Sequence, residues 1–380
     1  MLAVEGSAGN REETTTCYYS FVGQTSDEQA KPLNLALSDF DYDLPPQRIA
    51  TEPARPRDSS RLLCVDRRNG DLKDSSFRHL ASHLARSDVL VVNNTRVLKA
   101  RVYGILERSG RKIEVLFAKA VSDSTWEVML RPGKRVRTGD RLLVGEGVRL
   151  MVGDRRDHGL RLLEIEPSPS FDADVSELLA CHGHIPLPPY IDRANRASDE
   201  TDYQTMYGTA SGAIAAPTAG LHFTPDVMAS LEERGIEVCE LTLHVGIGTF
   251  LPVRTADPAQ HHLKPEQYVI SAKTADLLNQ AQESGRRIIA VGTTTTRTLE
   301  YAYRRHGKFV PETGEADLYI LPGFRFGVVA GLLTNFHLPR STLLFLVSAF
   351  ASRRSVLNAY QHALDSDYRF YSYGDCTLFI

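Results

Sequence analysis

Residues 288–305 read IIAVGTTTTRTLEYAYRR: a four-residue apolar run, a glycine, four threonines, an arginine and then helical spacing. A short apolar strand that passes through glycine into a helix is the building unit of a sheet with crossover helices. The unit recurs. A helix over 226–234 stops at Gly235 and a strand over 236–243 follows, and a helix over 272–284 stops at Gly285 before a strand at 287–291. From Leu332 an apolar strand reaches Asn335, Pro339 breaks it, and Ser341 can cap the apolar helix beyond. Phe77, Leu80, Ala81 and Leu84 fall at helical spacing ahead of an apolar strand at 89–92. These alternations specify an α/β fold. The glycines complete neither a GxGxxG nor a Walker pattern, which excludes the two common nucleotide loops.

Between 100 and 166 the pattern changes. RVYGIL, KIEVLFAKA, TWEVML, RLLVG and RLLEIE are short strand candidates separated by Gly, Asp and charged turns, and such regular spacing favours a barrel or sandwich. Helix–strand alternation then resumes. The fold expected is a large mixed-sheet α/β domain over 37–99 and 167–380, with a small β-barrel domain inserted at 100–166. Residues 1–36 are polar and aperiodic and read as a flexible extension. HIPLPPYIDR, residues 184–193, is too rich in proline for a helix and reads as an extended connector.

The chain has 380 residues, 42% of them hydrophobic and 24% charged, enough to bury a full core. Its longest apolar run, within 343–351, is far short of the roughly 20 residues of a membrane-spanning helix, and the first residues lack the apolar stretch of a secretory signal. A soluble, cytoplasmic protein without a membrane partner is expected. Five scattered cysteines form no CxxC pair and no HExxH pattern occurs, so neither a disulfide frame nor a metal is expected. The absence of a GxSxG elbow argues against serine hydrolysis. A net charge of −3 excludes a uniformly basic surface, yet Arg131, Lys134, Arg135 and Arg137 cluster around Pro132–Gly133. That cluster permits an RNA backbone without demanding one.

Five segments have residues suited to ligands at predicted strand ends. AIAAPTAGLHFT, residues 213–224, interleaves Thr218, Gly220, His222 and Phe223; it is either a tight turn or a ligand loop. LTLHVGIGTF, residues 241–250, sets His244 beside Gly246, Gly248, Thr249 and Phe250; it reads as a loop that admits a planar ligand or as a hairpin with a core Phe. Gly292, Thr293, Thr294 and Arg297 open a helix whose free amides suit a phosphate or carboxylate, although a threonine cap has the same signature. Asn335, Phe336 and His337 precede the Ser341 helix, and Asn94, Thr95 and Arg96 end the strand at 89–92. In open α/β sheets the carboxyl edge of the strands is the ligand side.

Taken together, LSDFDYDLP from Leu37, VVNNTRV, GHIPLPPYIDR, AIAAPTAGLHF, LHVGIGTF with LPVR, AVGTTTTRTLE, TNFHLPRSTLLFLVSAF and YRFYSYGD closely resemble the S-adenosylmethionine:tRNA ribosyltransferase-isomerase family. The resemblance runs from about Leu37 to the end of the chain. It implies an enzyme of queuosine synthesis that transfers and isomerises the ribosyl moiety of S-adenosylmethionine onto 7-aminomethyl-7-deazaguanine at a tRNA wobble position. Adenine and methionine leave, and epoxyqueuosine-tRNA is the product. S-adenosylmethionine is then a ribosyl-donor substrate rather than a permanently bound cofactor, the partner is tRNA carrying that base, and the enzyme is expected to act as a monomer.

On this resemblance His222, His244 and His337 are candidates for proton transfer. Thr293, Thr294 and Arg297 are candidates for the methionine carboxylate or a tRNA phosphate, and Phe223, Phe250 and Phe336 for flanking adenine, the modified base or the sulfonium. Arg131, Lys134, Arg135 and Arg137 are candidates for the tRNA backbone. Thr295–Thr296 departs from the Ser-Val frequent in the family, and Lys264 stands where a second histidine often does, which puts a role for that histidine in doubt. The competing readings are another S-adenosylmethionine-dependent RNA-modifying enzyme, such as a methyltransferase, and a noncatalytic tRNA-binding protein.

Overall fold

Strand alternation over two faces organises the molecule. A computed structural model describes residues 35–380 apart from 146, 168–173, 247, 249–252 and 254; the expected extension lies outside the described residues as far as residue 34. Strands β1 (Arg61–Val65) and β2 (Leu72–Ser76) form an antiparallel hairpin closed by the Asn69–Gly70 turn. The helical spacing over 77–84 corresponds to a 3-10 segment, Phe77–His83, rather than to an α-helix. Its buried Phe77 and Leu80 are three residues apart, a spacing that a three-residue turn satisfies as well as an α-helix does. Next come β3 (Val89–Asn93), buried throughout, and β4 (Thr95–Val97).

Six strands follow: β5 (Arg101–Leu106), β6 (Arg111–Ala120), β7 (Thr125–Arg131), β8 (Arg141–Val144), β9 (Val148–Arg155) and β10 (Arg161–Glu166). They close into an antiparallel barrel in the order β10-β7-β6-β5-β8-β9. Val102, Ile113, Val115, Phe117, Val128 and Leu150 fill its interior. The chain enters and leaves by adjoining segments: Arg101 N–H donates to His184 O (3.0 Å), and His184 N–H donates to Arg101 O (2.7 Å).

After the barrel the elements are α1 (Val175–His182), α2 (Asp199–Asp202), β11 (Ala210–Ala213), α3 (Pro225–Glu233), β12 (Glu237–Leu243), β13 (Glu266–Ile270), α4 (Ala272–Glu283), β14 (Ile288–Val291), α5 (Thr293–His306), β15 (Glu312–Ala316), β16 (Val329–Asn335), α6 (Thr342–Ala351), α7 (Arg353–Asp365) and β17 (Cys376–Phe379). Nine strands make one mixed sheet in the order β15-β13-β12-β3-β14-β16-β17-β1-β2. β11 pairs with β4 in a separate parallel ribbon.

Alternate strand residues supply two cores, as the period of two requires. Val89, Val91, Leu241, Ile288, Ala290 and Leu332 point to one side, with residues of α4, α5, α6 and α7. Leu90, Val92, Ile289, Val291 and Leu333 point to the other, with α3 and the 3-10 segment. Strands covered on both faces read as continuous apolar runs, the signal seen in the sequence. No helix of the described residues is long and apolar enough to cross a membrane.

Candidate functional site

β12, β3, β14 and β16 are mutually parallel neighbours, so their carboxyl ends lie along one edge of the sheet. The chain leaves that edge through His244–Val245–Gly246, Asn94–Thr95–Arg96, Gly292–Thr293 and Phe336–His337. The 213–224 loop joins them: the Ile214 and Ala215 amides donate to Val245 O at 2.8 and 3.3 Å. Thr218 Oγ1 donates to Asn335 Oδ1 at 3.0 Å. The five segments picked out in the sequence thus meet along one edge.

Two adjoining spaces open there. A cavity of about 530 Å³ lies between the barrel wall and the sheet, lined by Trp126 and Glu127 of β7, by Gly212, His244, Gly246, Gly248, Lys264, Glu266 and Arg297, and by Tyr319 after β15. That volume is in the range of small-molecule sites. A crevice of about 70 Å³ shares Val245 and Leu343 with it and is lined by Thr218, Gly292, Thr293, Thr294, Asn335, Phe336 and His337. The crevice sits on the amino end of α5, whose N-cap Gly292 has φ 91°, a conformation that favours glycine.

The three histidines differ in their surroundings. His222 is buried, and both its nitrogens are engaged. Asn335 Nδ2, which also faces the Tyr371 carbonyl, donates to His222 Nε2 at 3.0 Å, so Nδ1 holds the proton and donates to Ser60 Oγ at 2.8 Å. Burial first, then the Arg369 and Arg57 charges, pulls its pKa down to about 3. His337 is likewise buried, with Nε2 at 2.9 Å from Thr334 Oγ1. Its amide donates to the Tyr360 hydroxyl, and its carbonyl accepts from the Tyr42 hydroxyl. Burial lowers its pKa to about 3.

His244 is half-buried and lines the cavity. Its Nδ1 shares a hydrogen bond of 2.8 Å with Thr95 Oγ1, and its Nε2 has no hydrogen-bond partner among the described residues. Burial lowers the His244 pKa, so the ring is neutral at pH 7. Gly212 makes room for it: a Cβ there would lie 2.7 Å from His244 Cε1 and Nδ1.

Other expected site residues have different neighbours. Arg297 lies on the cavity floor, but its guanidinium is engaged by Glu266 Oε2 (2.6 Å) and Leu318 O (2.9 Å), and Glu266 Oε1 in turn accepts the Gly246 amide at 3.0 Å. Its fork positions the glycine loop instead of presenting itself to an anion. Thr293 and Thr294 do line the crevice, without a side-chain hydrogen bond among the described residues. Thr295 and Thr296 instead bond back to Val291 O and Gly292 O.

Phe223 and Phe336 turn into the core, the first against Phe77 and Tyr207, the second against Tyr360, Tyr368 and Phe370, leaving no face for a ligand. The Asn94 side chain faces Glu240 and Thr242 on β12, and Arg96 is exposed off the cavity. Thr249 and Phe250 lie outside the described residues. Arg131, Lys134, Arg135 and Arg137 form one exposed basic turn after β7, and none has an ion-pair partner among the described residues.

Trp126, Glu266 and Tyr319 line the cavity but were not singled out from the sequence; Lys264, noted there as a departure from the family, lines it too. A tryptophan in an alternating strand reads as core, and a glutamate at a polar strand edge reads as solvated.

A family model described as queuosine biosynthesis protein matches residues 37–379. Proteins of Staphylococcus haemolyticus (strain JCSC1435) and Staphylococcus aureus (strain Newman), both named S-adenosylmethionine:tRNA ribosyltransferase-isomerase, are each 44% identical over 345 residues, covering 90% of this chain and 99% of their own. The crystal structure of an S-adenosylmethionine tRNA ribosyltransferase from Thermotoga maritima superposes with a TM-score of 0.52 at 35% identity, covering 90% of this chain and all of that one. With a family model over nearly its whole length and relatives of this identity, the chain belongs to the queuosine biosynthesis protein family.

Proposed function

We propose that this protein transfers and isomerises the ribosyl moiety of S-adenosylmethionine onto 7-aminomethyl-7-deazaguanine at the wobble position of a tRNA. Epoxyqueuosine is left in the tRNA, and adenine and methionine are released. Family membership and the names of the relatives support the reading. The observation in this chain that carries it is that the cavity lined by His244 adjoins the crevice on the α5 amino end, the two sharing Val245 and Leu343 at the sheet's carboxyl edge.

The sulfonium acidifies the adjoining 5′ carbon and makes methionine a leaving group. A neutral imidazole with an unclaimed nitrogen is suited to take that proton, so His244 is the proposed base. Thr293, Thr294 and the α5 amides are the proposed seat of the methionine carboxylate, where helix-end potential favours negative charge. His222 and His337, buried and neutral, hold the loops. β7 leads from Trp126 on the cavity to the basic turn beyond Arg131, roughly 17 Å at strand rise, which suits a tRNA whose wobble base enters while its backbone meets the turn. In this reading the barrel over 100–166 is a domain inserted into the larger one, and the enzyme works as a cytoplasmic monomer.

The test is incubation of the protein with S-adenosylmethionine and tRNA bearing the deazaguanine, with nucleosides and small products read by mass spectrometry. Epoxyqueuosine, adenine and methionine are expected together. S-adenosylhomocysteine in their place would make it a methyltransferase, and binding without products a noncatalytic tRNA-binding protein.

A further inference from the structure

Among the described residues that line the cavity, three carry aromatic rings: His244, Trp126 and Tyr319. Trp126 comes from the barrel and Tyr319 from the sheet segment after β15. Trp126 stands opposite Ala120 on β6 and Leu163 on β10, and the edge of the buried Phe117 meets it at 5.8 Å. Its neighbours on the same cavity wall, Ala118 and Ala120, are too small to cover an indole. The ring is consequently half-buried, an arrangement that leaves apolar surface in contact with whatever fills the space.

Tyr319 is fixed as well: its hydroxyl donates to Pro258 O at 3.1 Å, and the His261 ring packs against it at 5.9 Å. Two braced rings from two different structural units, facing one cavity, are pre-organised for a flat ligand. We infer that Trp126 and Tyr319 form a stacking slot for a purine-type heterocycle, so that the barrel supplies part of the substrate site as well as a basic turn. The inference rests on the function proposed above. The ring in the slot is either the adenine of S-adenosylmethionine or the 7-deazaguanine base, since both present the same flat face.

Trp126 is the one tryptophan in the sequence, so indole emission reports on this position alone. Emission of the wild-type protein is titrated separately with S-adenosylmethionine and with a short anticodon stem-loop bearing the modified base. Saturable quenching by the first places adenine in the slot, and by the second the modified base. Quenching by neither, while calorimetry shows both to bind, overturns the slot. Steady-state kinetics of two variants provide the second arm. Trp126→Leu should raise KM for the quenching ligand roughly tenfold with kcat within about twofold, and Trp126→Phe should restore it. Indistinguishable KM values for the two variants also overturn the slot. Product formation by the wild type is scored apart from quenching: a protein that quenches without making epoxyqueuosine retains the slot and loses the proposed reaction, and one that turns over without quenching does the reverse.

Discussion

His222, His244 and His337 share a residue type and a sheet edge, yet they differ in what their nitrogens meet: both of His222 are engaged, whereas His244 and His337 each keep one without a hydrogen-bond partner among the described residues, and of these two His244 is the half-buried one on the larger cavity. His244→Gln should leave folding intact and lower kcat roughly 100- to 10,000-fold, the usual range for a lost general base. An unchanged kcat in single-turnover assays would remove His244 from the chemistry. His222 contributes to stability instead, and the sign follows from its lowered pKa of about 3. Between that value and an unfolded pKa of about 6.5 the unfolded chain binds more protons, so the stabilisation is fully present above about pH 6.5 and is lost as pH falls toward 3. Denaturation midpoints of wild type and His222→Gln should therefore converge on acidification across that window. A constant difference would contradict the linkage. The sequence placed all three histidines near the site but could not distinguish them, because tautomer and burial depend on Ser60, Thr95, Thr334 and Asn335, of which all but Thr334 lie far along the chain from the histidine they bond.

At the level of elements, α5 does two jobs with its two faces. Its amino end opens on the crevice, and further along the helix Glu300, fully buried, accepts the amides of Gly327, Val328 and Val329 at 2.8, 3.0 and 2.9 Å. The carboxylate thereby fixes the start of β16 and, through the strand, the position of Asn335. Glu300→Ala should cost about 3 kcal/mol or more, since two buried N–H groups and one part-buried N–H lose their acceptor. Equilibrium urea unfolding measures it, and a loss under about 1 kcal/mol would mean that the amides find other partners. The strand–glycine–helix signature made α5, α6, β14 and β16 legible from sequence. The edge strand β15 (ETGEA) and its neighbour β13 (EQYVI) were not, because short, half-polar segments toward a sheet edge lack an apolar run. Gly220 is required for space rather than for unusual backbone angles, since a Cβ there would meet Tyr207 Oη at 2.2 Å.

Over the whole molecule the charge is uneven. Residues 101–166 carry fourteen Lys and Arg against ten Asp and Glu, in a chain of net charge −3. The barrel is therefore the basic part, and its unpaired turn at 131–137 is the proposed track for the tRNA backbone. Replacing Arg131, Lys134, Arg135 and Arg137 with Gln should weaken tRNA binding and flatten the slope of log K against log salt by up to about 3.6, at roughly 0.9 for each phosphate no longer neutralised. An unchanged slope would place the tRNA elsewhere. The class of fold and the barrel were legible from periodicity, whereas the order of the sheet was not. β17, at the end of the chain, inserts between β16 and β1, a pairing over some three hundred residues that no local pattern announces. The backbone bonds between Arg101 and His184 bear on how the chain can change in length. With entry and exit already clasped there, lengthening a hairpin within the intervening chain adds no closure entropy to the large sheet, since that ring is closed by its own local pairing. Insertions and deletions between those two residues are accordingly the changes in length that this architecture should tolerate best, and the same change between β14 and α5 the one it should tolerate least.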